Sequence, residues 1–354
     1  MQAPTTNIFE EQIRSILQRL KITSKHSFVV DEKLVEAYPK HAYAQTGYDL
    51  GNFGSNTNST TKEARQNLTN ALVNELYSRF YCAHTGAQNP LPPIAEREAF
   101  MNTLSAANCS TEGLDYYWKV YHVSPNGQAF AQKNGVLRPL IPHTYTTNTT
   151  WNGAPPNNAP PAPPVINQYV HFHRQKENRK AQPVFYHIFG KEYLSHEGTL
   201  ARIYWHIQPE GAATLIAEIS NSLNSYNIPF SFKCLNHKAL YTRSDSAVLY
   251  FDKKHLSIIQ MMLPAICQKV EHYLQDSIPM FTKQLYKGVA FAEDPGNGQS
   301  FGMSRVEAIA EALVEAFQQD IQEEEALLDF VLTYMETMGI SRTHMYLNPR
   351  LQNS

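Results

Sequence analysis

Between Arg202 and Phe251 the chain sets a histidine, a lysine and an arginine into short apolar runs. R-I-Y-W-H-I-Q carries His206, I-P-F-S-F-K-C carries Lys233, and Y-T-R-S-D-S-A-V-L-Y-F carries Arg243, Asp245 and Tyr250. Apolar residues alternate around His206 and Lys233, a period that predicts two β-strands presenting those side chains on one face. A protonatable imidazole, an amine base and a guanidinium brought together suit chemistry on a phosphate ester. Taken singly, each has a structural explanation. His206 reads as a half-buried strand histidine, Lys233 as an outward-facing strand lysine, and Arg243 with Asp245 as a local ion pair at a strand entrance.

Two further motifs bear on chemistry. The segment A-F-A-E-D-P-G-N-G-Q-S-F-G-M-S-R leads into a predicted helix at about residue 303. Glycines and the amide donors of a helix N-terminus can cradle an anion, and Arg305 would add charge in the first turn. The string is neither a P-loop nor a dinucleotide-binding fingerprint; a purely structural loop is the other reading. His171 and His173 in V-H-F-H-R alternate onto one strand face, with His187 as a conceivable third metal ligand. No carboxylate completes a known zinc signature, so no metal site is assigned.

The elements that must position these residues follow from periodicity. Residues 7–24 read as an amphipathic helix, 62–81 and 95–106 as two more, and 115–123 as a strand. Residues 47–61 read as a polar loop. After residue 165 the pattern is mixed. Strands are predicted at 168–174, 183–189, 200–208, 228–234, 246–251 and 288–292, and helices at 211–225, 254–275, 303–318 and 322–338. The expected class is α+β: a mostly antiparallel sheet with packed helices and a helix-rich N-terminal part. Residues 144–165 contain six prolines among asparagines and small residues, a composition that cannot pack a core. This divides the chain into 1–143, a Pro/Asn-rich loop at 144–165, and an α+β domain at 166–354.

Composition narrows the class. With 30 basic against 32 acidic residues the formal charge is -2, which argues against a nucleic-acid partner. Four scattered cysteines form no C-x-x-C pair, so neither a disulfide framework nor a structural zinc is expected. The N-terminus lacks a signal-peptide core and no run reaches membrane-spanning length. A soluble cytoplasmic protein without a membrane partner is the expectation.

Residues 165–340 resemble the HopA-type III effector family, whose relatives include lyases of class V lanthipeptide biosynthesis. The strings that carry the resemblance are I-P-F-S-F-K-C-L-N, Y-T-R-S-D-S-A-V-L-Y, P-M-F-T-K-Q-L and the A-E-D-P-G-N-G-Q-S-F-G-M-S-R loop. The chain is also similar to bacterial phosphothreonine lyases, so a phosphothreonine-lyase-like C-terminal half is implied. Their catalytic histidine lies in a Lys-Phe-His-Ile strand, matched by Tyr204-Trp205-His206-Ile207. Lys233 matches their base, Arg243 their phosphate-binding arginine before a Leu-Tyr strand end, and Arg305 a later arginine at a helix start. Tyr204 stands where that family has lysine, with Arg202 or Lys283 as sources of the missing charge. A further family arginine after Arg305 has no counterpart.

The resemblance implies β-elimination of phosphate from phosphoserine or phosphothreonine in a precursor peptide, giving dehydroalanine or dehydrobutyrine without metal or organic cofactor. Lys233 would take the Cα proton, which requires a pKa below the usual ~10.4. His206 would protonate the departing phosphate, Arg243 and Arg305 would clamp it with Arg202 and Lys283 in support, and Tyr250 or Tyr204 would bond the substrate carbonyl. A separate peptide kinase is the implied partner. The alternatives are a non-catalytic phosphopeptide- or leader-binding partner of a kinase, and an effector-like lyase acting on a folded phosphoprotein.

Overall fold

The computed structural model describes residues 7–37, 61–84, 91–125, 127–150, 164–196 and 198–348. The chain begins with helix α1 (Ile8–Arg19), strands β1 (Leu20–Ser24), β2 (Ser27–Val30) and β3 (Lys33–Glu36), and α2 (Thr61–Glu75), which runs into a π-helical turn at Leu76–Tyr81. Next come α3 (Ile94–Ala107) and strands β4 (Gly113–Val123), β5 (Ala129–Lys133), β6 (Val136–Pro139), β7 (Tyr145–Thr146) and β8 (Tyr169–Arg174). The remainder is β9 (Glu177–Gln182), β10 (Phe185–Phe189), β11 (Leu200–Trp205), α4 (Pro209–Ser225), β12 (Phe230–Leu235), β13 (Ala247–Asp252), α5 (Leu256–Val270), β14 (Lys283–Tyr286), β15 (Val289–Glu293), α6 (Phe301–Gln318) and α7 (Glu324–Thr337). The class is α+β with antiparallel sheets, as the pattern predicts.

A seven-stranded antiparallel sheet in the order β14-β15-β11-β13-β12-β10-β9 dominates the C-terminal half. Both β11 and β12 pair antiparallel with β13, so they run in the same direction and α4 crosses between them. β11, α4 and β12 therefore form a crossover unit with β13 inserted at its centre. The apolar alternation of β11 sorts its side chains to two faces. Ile203 and Trp205 join Phe232, Leu249 and residues of α4 and α5 in one core, whereas Tyr204 joins Val248, Ala292 and residues of α1, α2, α6 and α7 in another. Burial on both faces explains why β11 and β13 read as nearly continuous apolar runs.

The N-terminal elements supply much of that second core. Phe9, Ile13, Phe28, Leu72 and Tyr81 pack with Phe301, Ile309, Leu313 and Val331. Asn7 caps α1 by accepting from the Phe9 N–H at 3.2 Å, and Ser300 caps α6 by accepting from the Met303 N–H at 3.1 Å. Gly302, in the first turn of α6, allows the close approach: a Cβ there would lie 2.3 Å from the Tyr81 ring.

Several expectations change. The helix predicted for 7–24 stops at Arg19, because Leu20–Ser24 pairs with Ser27–Val30; Ile22, Thr23 and Ser24 are poor helix formers and favour the hairpin. The N-terminal part holds strands as well as helices. The division at residues 144–165 is crossed: β8 and β7 join β4, β5 and β6 in a five-stranded sheet ordered β6-β5-β4-β8-β7, with Trp118, Val120, Val170 and Phe172 in its core. The polar tract predicted as a loop at 47–61 lies almost wholly outside the described residues, as do positions 151–163 of the Pro/Asn-rich segment.

Candidate active site

One face of the large sheet opens into a cavity of about 1030 Å³ between that sheet, the five-stranded sheet, the loop after β10 and the glycine-rich loop after β15. Arg202, Tyr250 and Lys233 line its wall. Strand register explains their company. Arg202 pairs with Tyr250 across β11 and β13, Tyr250 pairs with Ser231 on β12, and Lys233 lies two residues along on the same face. The Tyr250 ring consequently sits between the two cations, 5.0 Å from the Arg202 guanidinium carbon and 5.7 Å from Lys233 Nζ.

The direct contacts of Lys233 are to neutral groups, with the Arg243–Asp245 pair beyond the Phe185 ring. Its Nζ donates to Gln182 Oε1 at 3.2 Å and lies 4.2 Å from the Phe185 ring centroid. His187, directly opposite Lys233 in the β10–β12 register, places Nε2 3.2 Å from the same Gln182 oxygen. An ammonium can only donate, so Gln182 presents its carbonyl oxygen and His187 must donate from Nε2 as well. Burial, and then the Lys233 charge, hold the His187 pKa down at about 4. His187 is therefore a neutral imidazole at physiological pH with its tautomer fixed. An NMR titration should give a His187 midpoint near pH 4 that moves upward in Lys233→Ala; a midpoint at the ordinary histidine value would contradict this arrangement.

Arg202 is 6% exposed and anchored. Nε donates to Asp294 Oδ2 at 2.7 Å, and Nη2 donates to the same oxygen and to the Gln299 carbonyl at 3.0 Å. Its Nη1 is the guanidinium's remaining donor. The glycine-rich loop thus brings a carboxylate to Arg202, and Asp294 also accepts from the Gly296 N–H at 2.9 Å. The helix N-terminus beyond this loop is closed by the Ser300 cap and buried Phe301.

The other expected residues lie elsewhere. His206 follows β11 beyond the last β11–β13 pair and is not among the cavity-lining residues; its Nδ1 is 3.0 Å from the Ser277 carbonyl and 2.9 Å from Ser277 Oγ. It is also two strands from Lys233, about 10 Å across the sheet at ordinary strand spacing. Arg243 is paired through Nε and Nη2 with Asp245, and Nη2 also donates to Cys82 Sγ at 3.0 Å. Burial opposes ionisation of Asp245, but Arg243 and then Lys233 hold its carboxyl below the usual range. The local ion pair, rather than a free phosphate clamp, describes Arg243.

Arg305 is 1% exposed and donates to the carbonyls of Met345 at 2.9 Å and Leu347 at 2.7 Å, fastening the C-terminal segment. Burial pushes its pKa down to about 10. Lys283 lies exposed on edge strand β14, 5.5 Å from the Tyr346 ring. Tyr204 is buried, its hydroxyl near Tyr81 and Arg202 rather than in the cavity. His171 accepts from the Tyr117 N–H at 3.0 Å in the five-stranded sheet, apart from His187 in the larger one. The expected constellation is therefore divided, with Arg202, Tyr250 and Lys233 together and the remainder outside the cavity. His187 and Gln182 are the additions.

A family model for the HopA1 effector protein family matches residues 176–347. No curated protein matches the chain significantly. Among solved structures, the effector protein from Pseudomonas syringae pv. tomato strain DC3000 aligns with 16% identity and a TM-score of 0.44, covering 81% of this chain and 98% of that one. The effector protein from Pseudomonas syringae pv. syringae strain 61 aligns with 12% identity and a TM-score of 0.43, over the same shares. The match of residues 176–347 contains Arg202, Lys233 and Tyr250, and it is this region of the chain that is similar to the HopA1 effector protein family.

Proposed function

We propose that this chain is a phosphoserine/phosphothreonine lyase that eliminates phosphate from a phosphorylated precursor peptide, the dehydration step of lanthipeptide biosynthesis. The observation that carries the reading is the Arg202–Tyr250–Lys233 row inside one cavity. Lys233 has no carboxylate within ion-pair distance among the described residues. As the free amine it removes the Cα proton. The Cα–Cβ double bond forms as the Cβ–O bond breaks, and the electron pair leaves with the phosphate. Arg202 Nη1 faces the developing phosphate charge, and the Tyr250 hydroxyl donates to the peptide carbonyl as enolate character builds. A separate kinase supplies the phosphopeptide, and cysteine thiols can then add to the dehydrated residues.

One observation favours a second reading. His206 lies outside the cavity, and Arg243 and Arg305 are engaged elsewhere, which suits a protein that binds a phosphopeptide for a kinase without reacting. Mass spectrometry of a phosphothreonine peptide incubated with the purified protein separates them. Loss of about 98 Da, phosphoric acid, is the result expected of acid–base elimination. Loss of about 80 Da would mean hydrolysis, and an intact phosphopeptide that nevertheless binds would leave the second reading.

A further inference from the structure

The part of the cavity built by the five-stranded sheet holds a guanidinium with no hydrogen bond among the described residues. Arg138, on β6, is stacked among three rings, with its guanidinium carbon 3.8 Å from the Phe172 centroid, 4.3 Å from Tyr193 and 5.8 Å from Trp118. Its side chain is 17% exposed, and it lines the cavity. The carboxylate in reach is Asp115, whose Oδ2 is 3.8 Å from Arg138 Nη1 and whose Oδ1 already accepts from Lys133 Nζ at 2.6 Å. Arg138 makes no hydrogen bond among the described residues. A guanidinium carries five N–H donors, and leaving them unmet in a largely buried place costs free energy unless water or an anion supplies acceptors.

The neighbourhood supports an anion more than water. Arg174, on β8 of the same sheet, also lines the cavity, with Nε and Nη2 donating to Thr111, and Lys191 follows β10. Against them stand Asp115 and Glu192. The aromatic walls restrict the motion of the Arg138 guanidinium, and a guanidinium can bind a carboxylate or phosphate through two donors. Arg138 and Arg174 both lie outside residues 176–347, so this end of the cavity is an addition of the five-stranded sheet to the family region.

We propose that Arg138 and Arg174 form a second anion subsite, which takes an acidic side chain of the same peptide whose phosphorylated residue sits at Lys233. This rests on the lyase reading for the occupant of the first end. The substrate class is then an acidic peptide: one phosphorylated residue and, at a fixed separation along the chain, an aspartate, a glutamate or a second phosphorylated residue. Charge on the peptide beyond the reacting phosphate contributes to affinity and register rather than to the chemical step.

The test is fluorescence-anisotropy binding of labelled phosphothreonine peptides in which a single glutamate is moved along the sequence, each compared with its glutamine counterpart. The full-length protein should prefer the glutamate peptide by about tenfold at one spacing, and Arg138→Met should erase that preference while leaving the glutamine peptide's affinity unchanged. Substituting a second phosphothreonine for the glutamate distinguishes a carboxylate from a phosphate occupant. Should Arg138→Met fail to fold, Arg174→Gln at a half-exposed position tests the same subsite, and the glutamate-to-glutamine comparison needs no protein variant. Equal affinity for glutamate and glutamine at every spacing overturns the proposal, as does a preference that survives both substitutions. The two readings fail separately. Elimination without glutamate preference removes the subsite alone. Arginine-dependent binding of the acidic peptides without elimination removes the lyase alone.

Discussion

Lys233→Ala is expected to lower the rate of phosphate elimination by roughly 10³-fold or more, because in the proposed mechanism it deletes the amine that takes the Cα proton. The side chain lies on a cavity wall, with one hydrogen bond to Gln182 and ring contacts to Phe185 and Tyr250. Its removal therefore leaves the sheet pairing of β12 intact. Phosphopeptide affinity should fall only a few-fold, as expected when Arg202 still holds the anion, so the loss appears in kcat rather than in KM. Single-turnover kinetics followed by mass spectrometry would measure it. Turnover at the wild-type rate would remove Lys233 from the base role and with it the mechanism above.

The largest stability effect is expected at Asp245. Its carboxylate holds Arg243, which also reaches Cys82, while the adjoining Ser244 donates from its N–H to the Cys82 carbonyl at 2.8 Å and from Oγ at 3.0 Å. This cluster joins the approach to β13 to the end of the π-helical turn. Asp245→Ala leaves the Arg243 guanidinium without its counter-charge, a change that costs about 3–5 kcal/mol for a buried pair. Urea unfolding at pH 7 would read it as a lower midpoint. The double variant Arg243→Met/Asp245→Leu should recover most of the loss, since an apolar pair of similar volume is often as stable as a buried ion pair. A single-variant cost below about 1 kcal/mol would place the pair with exposed salt bridges.

The pH dependence has a definite sign. Asp245 has a folded-state pKa below its unfolded value, so its contribution is fully present above the unfolded value of about 3.9 and disappears as pH falls through the lower folded value. The acid limb of the stability curve should be shallower in Asp245→Ala than in the parent.

Local sequence carried much of this arrangement. Period-two runs located β10 to β13 and β15, and the alternation in P-F-S-F-K placed Lys233 opposite the face of Phe230 and Phe232, as found. What it could not carry was register across strands. Arg202 and Tyr250 meet because β13 inserts between β11 and β12, and His187 meets Lys233 because β10 pairs beyond β12. Both facts depend on contacts between residues far apart in sequence. Arg243 had a local signal for its ion pair in R-S-D. Arg305 had none, because its partners are carbonyls about forty residues later. The strands β5, β6, β7, β9 and β14 are short or polar and escaped the pattern for that reason.

The shared core between the N-terminal elements and α6 and α7 bears on how such a protein could be divided or exchanged. The family region begins at residue 176, yet Ile309, Leu313 and Val331 inside it are covered by Ile13, Phe28 and Leu72 from outside it. Cut at the family boundary, the fragment would present that apolar surface to water and be prone to aggregate. The seven-stranded sheet is therefore not a transferable cassette, and a chimera built on it must carry the first eighty or so residues that cover its apolar face.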